Sequence, residues 1–131
     1  MLVDDNEETL FVMRQMLLKA GISQVACFSS SRDALAAFEA APESFEMVIT
    51  DFQMPVMDGV ELSRQMFRLA PAVKILLVTG THSISHETAG REGFCGLLQK
   101  PFPITALQAA LDAVAAGKFF TSSEANAKHG F

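Results

Sequence analysis

Tryptophan and tyrosine are absent from this chain, and cysteine occurs only twice. Cys27 and Cys95 share no spacing that would hold zinc or close a redox pair, and each sits in an apolar segment. They read as buried free thiols in a reducing cytoplasm, which excludes a disulfide-stapled scaffold. No apolar run approaches the length of a membrane span, and no basic-then-apolar leader opens the sequence. A membrane contact by this chain and a secretory route are therefore not expected. Basic residues are outnumbered, 10 Lys and Arg against 15 Asp and Glu, for a net charge of −5. They form no stripe, which argues against direct nucleic-acid binding. Internal repeats are also lacking.

What is present is half hydrophobic over 131 residues, enough for one compact domain with a real core and too little for a second. The chain starts with a very short apolar run, Met1-Leu2-Val3, that ends in Asp4-Asp5. Asn6 or Asp5 can cap a helix with Leu10, Met13, Leu17 and Ala20 at helical spacing, closed by Gly21. Residues 22–28 read as a second strand, and Ser29-Ser30-Ser31 as the cap of a helix with Ala34, Leu35 and Phe38 that Pro42 stops. Met47-Val48-Ile49-Thr50-Asp51 is a buried strand, and Pro55 forces a loop after it. Asp58 then caps a helix using Leu62, Met66 and Leu69, ended by Pro71. Residues 73–79 form the clearest strand. A weak helix spans 83–92, a short strand 94–98, and an amphipathic helix with Ile104, Leu107, Leu111 and Val114 stops at Gly117. Residues 117–131 are expected to be a flexible tail behind a domain of residues 1–116.

Five strands alternating with five helices predict an α/β fold, a five-stranded parallel sheet with helices on both faces. Right-handed crossovers put every strand's C-terminal end on one edge, where such sheets place their chemistry. Asp4-Asp5, Asp51, Thr79 and Lys100 all fall at or just past strand ends. Clustered carboxylates raise one another's pKa unless a cation lies among them, and oxygen-only donors suit Mg²⁺. Lys100 offers a point charge and Thr79 a hydroxyl to a phosphoryl oxygen. A carboxylate flanked in this way is equipped to act as nucleophile in an in-line phosphoryl transfer.

With these residues in view, the chain resembles the response-regulator receiver domains of two-component phosphorelays. The resemblance rests on Val3-Asp4-Asp5-Asn6, Ile49-Thr50-Asp51 with Met54-Pro55 and Asp58-Gly59, Val78-Thr79-Gly80, and Lys100-Pro101-Phe102. It implies a (βα)5 flavodoxin-like fold, with Asp51 as phosphoacceptor. Asp5 would hold Mg²⁺ directly, Asp4 largely through water, and the Gln53 backbone carbonyl would be a further ligand. Thr79 would be the switch hydroxyl and Lys100 its partner at the phosphoryl group, before a cis Lys100–Pro101 bond. The implied function is a switch rather than a turnover enzyme. It would take a phosphoryl group from a sensor histidine kinase or histidine phosphotransfer protein, lose it slowly to water, and change the 83–116 face. The family's switch aromatic falls on Leu97, so that ring is missing. Either a stand-alone receiver or a fragment of a hybrid kinase is compatible with the chain, and the oligomeric state is open. A phosphorylation-independent interaction module is the alternative.

Blander roles compete with these. Asp4-Asp5 and Asp58 can cap helices, Thr79 can be an ordinary strand residue, and Lys100 a solvated lysine. His82 and His86 have the i, i+4 spacing of a helical metal pair, yet surface positions suit them better without a third ligand. A flavodoxin-like cofactor protein is rejected because the loop after the first strand is acidic and would repel a cofactor phosphate.

Overall fold

The computed structural model describes residues 1–80 and 84–121. Strands β1 (Leu2–Val3), β2 (Cys27–Phe28), β3 (Met47–Asp51), β4 (Lys74–Thr79), β5 (Gly96–Gln99) and β6 (Phe120–Thr121) form one sheet. They lie in the order β2-β1-β3-β4-β5-β6, and every pairing is parallel. Helices α1 (Glu7–Lys19), α2 (Ser31–Ala40), α3 (Gly59–Leu69), α4 (His86–Arg91) and α5 (Ile104–Ala115) cover both faces. A single 3-10 turn at Pro42–Ser44 follows α2, where Pro42 was expected to end that helix.

The strands are apolar without alternation because both of their faces are buried. Within β3 and β4, Ile49, Leu76 and Val78 join Leu10, Met13, Leu17, Leu107 and Ala110 in the core under α1 and α5. The intervening Val48, Ile75 and Leu77 join Ala34, Phe38, Leu62 and Met66 under α2 and α3. Successive strand side chains point to opposite faces, so one run feeds two cores. Burying each large side chain contributes about 2 kcal/mol. Side-chain caps set where the helices begin: Asn6 accepts from the Thr9 amide, Ser30 from Asp33, Asp58 from Glu61 and Ser85 from Thr88. Outside the core, Arg64 of α3 forks onto Glu92 just past α4, at 2.8 and 3.0 Å.

The expectation of five strands is corrected to six. Phe120–Thr121, in the stretch read as a tail, pairs with β5 after α5 ends at Ala115 and the chain turns at Gly117 (φ 73°). There the Lys118 amide donates to the Ala113 carbonyl and turns the chain back onto the sheet. Residues 122–131 lie outside the described residues. The second strand is also shorter than residues 22–28, since its one partner, β1, offers only two residues to pair with. The last expected strand shifts from 94–98 to Gly96–Gln99, because the turn closing α4 uses the Phe94 amide to reach the Ala89 carbonyl. Short as β1 is, it lies between β2 and β3 with Leu2 and Val3 buried. Its Met1 ammonium donates to the Met47 carbonyl at 2.9 Å.

Candidate functional site

Parallel pairing carries the C-terminal ends of β1, β3, β4 and β5 to one edge. Asp4 follows β1, Asp51 closes β3, Thr79 closes β4 and Lys100 follows β5. The register sets Asp51 beside Val78, and Thr79 beside Gln99. Lys100 Nζ lies 2.7 Å from Asp4 Oδ2 and 3.2 Å from Asp51 Oδ1, joining two carboxylates that are far apart in sequence. Asp4 is 2% exposed and Asp51 9%. The second Asp4 oxygen accepts from the Asn6 amide at 2.9 Å, which aims the carboxylate inward from the start of α1.

Asp4, Asp5 and Asp51 each offer a carboxylate oxygen, all within 4.8 Å of one another. Asp5 is the exposed member. An all-oxygen, acidic donor set of this kind fits a hard divalent cation such as Mg²⁺. Gln53 lies in the exposed part of the loop after β3. Thr79 is buried, and its carbonyl accepts the Lys100 amide at 2.8 Å, fastening the end of β5 to the end of β4. The Lys100–Pro101 bond is cis. Leu97, in β5, is half-buried and packs on the core under α2 and α3. His86 is exposed, while His82 lies outside the described residues.

Burial is the main cause that raises the Asp51 carboxyl above its ordinary range. The charge of Asp4 adds to it, and Lys100 opposes it. For Lys100, burial alone would lower the pKa, but the hydrogen bond and charge of Asp4, with those of Asp51, leave it raised. The folded protein thus holds a proton on Asp51 more tightly than the unfolded chain does. Stability is therefore lost as pH rises from the ordinary value of 3.8 through the raised folded value, and the penalty is constant above that. Asp51→Asn removes the penalty. In metal-free buffer the variant is expected to be more stable than the wild type at neutral pH, with the gain fading towards acid. Urea midpoints of both proteins across that range check it, and a gain that grew on acidification would contradict the assignment.

Two further residues shape the loop between Asp51 and α3. Gly59, buried at the first turn of α3, sits where an added Cβ would collide with the Asp51 carbonyl oxygen. Its amide donates to the Phe52 carbonyl at 2.8 Å. Val56 has φ 72°, and the Met57 amide bonds the Pro55 carbonyl around it in a γ-turn. A β-branched residue there stores strain of about 1–3 kcal/mol. The Asp58-Gly59 motif was legible, but the contact that demands glycine was not. Nothing in the sequence signals the left-handed Val56.

Compared with known proteins, residues 1–112 match the response regulator receiver domain family. The chain belongs to that family. Among curated receivers it is 33% identical over 102 residues to CpdR of Brucella abortus, covering 76% of this chain and 80% of that protein. It is 36% identical over 102 residues to the C4-dicarboxylate transport regulator DctD of Rhizobium meliloti, covering 77% of this chain and 22% of DctD. The chain spans less than half the length of several relatives it matches. Among solved receivers, that of the sensor histidine kinase PA1611 from Pseudomonas aeruginosa is 25% identical. It superposes with a TM-score of 0.73 over 85% of this chain and 91% of that one. That structure has a magnesium ion coordinated in its active-site cleft. Among the described residues, no helix of this receiver is long and apolar enough to cross a membrane.

Proposed function

We propose that this receiver is a phosphoacceptor switch with Asp51 as the acceptor. The observation that supports it most is Lys100 bonded at once to Asp4 and Asp51, with Asp5 completing an acidic cluster. An Asp51 carboxylate oxygen attacks the phosphorus of a phosphohistidine on a sensor histidine kinase or phosphotransfer protein. The P–N bond breaks, and its electron pair returns to the imidazole. Lys100 offsets charge on the transferring group, and the Thr79 hydroxyl donates to a phosphoryl oxygen in the product. Mg²⁺, held by Asp4, Asp5, Asp51 and the Gln53 carbonyl, would supply the remaining charge neutralisation. Water later removes the group, so the chain is a timed switch rather than a turnover enzyme. Its output is a shift in the face built by α4, β5 and α5. A cytoplasmic setting follows from the kinase that must reach it.

Intact mass after incubation with an acyl phosphate, with and without Mg²⁺, tests this reading. One added phosphoryl group is expected, dependent on Mg²⁺ and lost in Asp51→Asn. The aliphatic Leu97 favours a second reading, a receiver fold that binds partners without phosphorylation. Absence of the adduct in a folded sample would select it.

A further inference from the structure

Thr50 is a buried polar residue that the phosphoacceptor chemistry described above leaves without a part. It stands in β3 between Val3 of β1 and Leu77 of β4, and all three are fully buried. Val3 and Leu77 belong to the core under α2 and α3. On packing grounds valine would serve as well here, since it has the outline of threonine without a hydroxyl to desolvate. The hydroxyl is satisfied at one particular place: Thr50 Oγ1 donates to the Asp51 carbonyl oxygen at 3.0 Å. Further contacts converge on the same peptide group. Gly59 lies so close to that oxygen that a Cβ would not fit between them. The Phe52 amide, at the other end of the peptide group, donates to the Val78 carbonyl at 2.9 Å. Ser63, 1% exposed, in turn donates its hydroxyl to the Gly59 carbonyl at 2.6 Å, which holds the first turn of α3.

We propose that Thr50 is a positioning residue for phosphoryl transfer, its hydroxyl fixing the Asp51 peptide and through it the acceptor carboxylate. The proposal rests on the phosphoacceptor reading given above. Its physical basis is the end of a ladder. β1 pairs with β3 only as far as Thr50, whereas β4 pairs as far as Asp51, so Asp51 has a paired strand neighbour on one side alone. The Thr50 hydroxyl supplies a restraint that this half-paired position lacks. The carbonyl it holds is one bond from the Cα that carries the Asp51 side chain, so rotating this peptide swings the carboxylate. That carboxylate has a narrow placement, with Oδ1 3.2 Å from Lys100 Nζ and an oxygen within 4.8 Å of those offered by Asp4 and Asp5. The same rotation redirects the chain towards Gln53, whose carbonyl is the further metal ligand of the proposed site. A single hydroxyl, itself out of reach of the phosphoryl group, thus sets the aim of two groups that would touch it or its metal.

The test uses the full chain. Thr50→Val removes the hydroxyl and keeps the shape, while Thr50→Ser keeps the hydroxyl and loses the methyl group. Thr50→Ala replaces the valine variant if that one fails to fold. Uptake from an acyl phosphate at saturating Mg²⁺ is followed by intact mass, and Mg²⁺ affinity without phosphodonor by calorimetry. Thr50→Val is expected to be slower in uptake and weaker in Mg²⁺ binding, each by about tenfold, the usual cost of losing a group that orients a ligand. Thr50→Ser should stay close to the wild type in both. Loss of packing alone would lower the urea midpoint of Thr50→Ser and leave uptake and Mg²⁺ affinity of the folded variants unchanged. Wild-type values in folded Thr50→Val, or an equal loss in Thr50→Ser, overturn the positioning role and leave the phosphoacceptor reading standing. No uptake by the folded wild type overturns that reading, and the role of Thr50 with it.

Discussion

Lys100→Met is expected to slow phosphoryl uptake from an acyl phosphate by about 10²- to 10³-fold, the usual cost of losing one preorganised charge-stabilising group. The same substitution should weaken the fold. Lys100 is 2.7 Å from Asp4 and 3.2 Å from Asp51, two carboxylates that are almost entirely buried. Without the ammonium they face each other with no protein cation bonded to either among the contacts seen here. Breaking a buried ion cluster by removing one partner costs about 3 kcal/mol, most of it the penalty of the charges left behind. The loss should be largest in metal-free buffer and shrink as Mg²⁺ is added, because a divalent cation at the cluster replaces the missing positive charge. Urea unfolding at several Mg²⁺ concentrations, with uptake followed by intact mass, separates the effects. Mg²⁺ should restore much of the stability and little of the rate, since it does not reproduce a donor at the position of Lys100. A variant as stable as the wild type without Mg²⁺ would mean that the short contacts to Asp4 and Asp51 carry no energy.

The acidic cluster and Lys100 were legible because their signal is local and repeated. Each of the principal apolar runs ends in a polar residue, and parallel connectivity gathers those ends on one edge. The helix starts were legible for the same reason, since Asn6, Ser30 and Asp58 each stand just before a helical period. The sixth strand was not. Phe119-Phe120 is a pair of aromatics among small and polar residues, too short to show a period. It becomes a strand only because β5 offers an open edge and Gly96 leaves room for its backbone. The bounds of β2 and β5 differ from those the apolar runs predict, because a strand extends only as far as its partner pairs with it, which apolar content does not report. Leu97 falls within the last strand of the (βα) units, as its apolar run suggests, but a half-buried leucine says nothing of the strand that would lie outside it. The need for glycine at position 59 is not legible in the sequence, since the oxygen its Cβ would meet belongs to a residue eight positions away.

That contact makes opposite predictions for one substitution at two glycines. In an open helical position, Gly→Ala is expected to stabilise by roughly 0.5–1 kcal/mol, because alanine loses less backbone entropy on folding. Gly90, in α4, is such a position, where among the described residues the added methyl meets only the Phe119 ring, at ordinary contact distance. Gly90→Ala should therefore raise the urea midpoint and reduce exchange in the short helix α4. Gly59 reverses the sign. Its added Cβ runs into the Asp51 carbonyl oxygen, and the Leu77 side chain is also only 3.2 Å away. The obstacle is backbone at the end of β3, which cannot rotate aside as a flexible side chain would. Either the start of α3 moves out, losing the Gly59–Phe52 hydrogen bond, or the end of β3 shifts and carries Asp51 with it. Overpacking of this kind costs about 1–3 kcal/mol even after relaxation. Gly59→Ala should thus lower stability by that amount and slow phosphoryl uptake as well, because Asp51 no longer stands in line with Lys100. Measuring both variants by urea unfolding and uptake decides the matter. If Gly59→Ala were stabilising like Gly90→Ala, α3 would not press on β3 as closely as described here, and its glycine would be a matter of helix propensity alone.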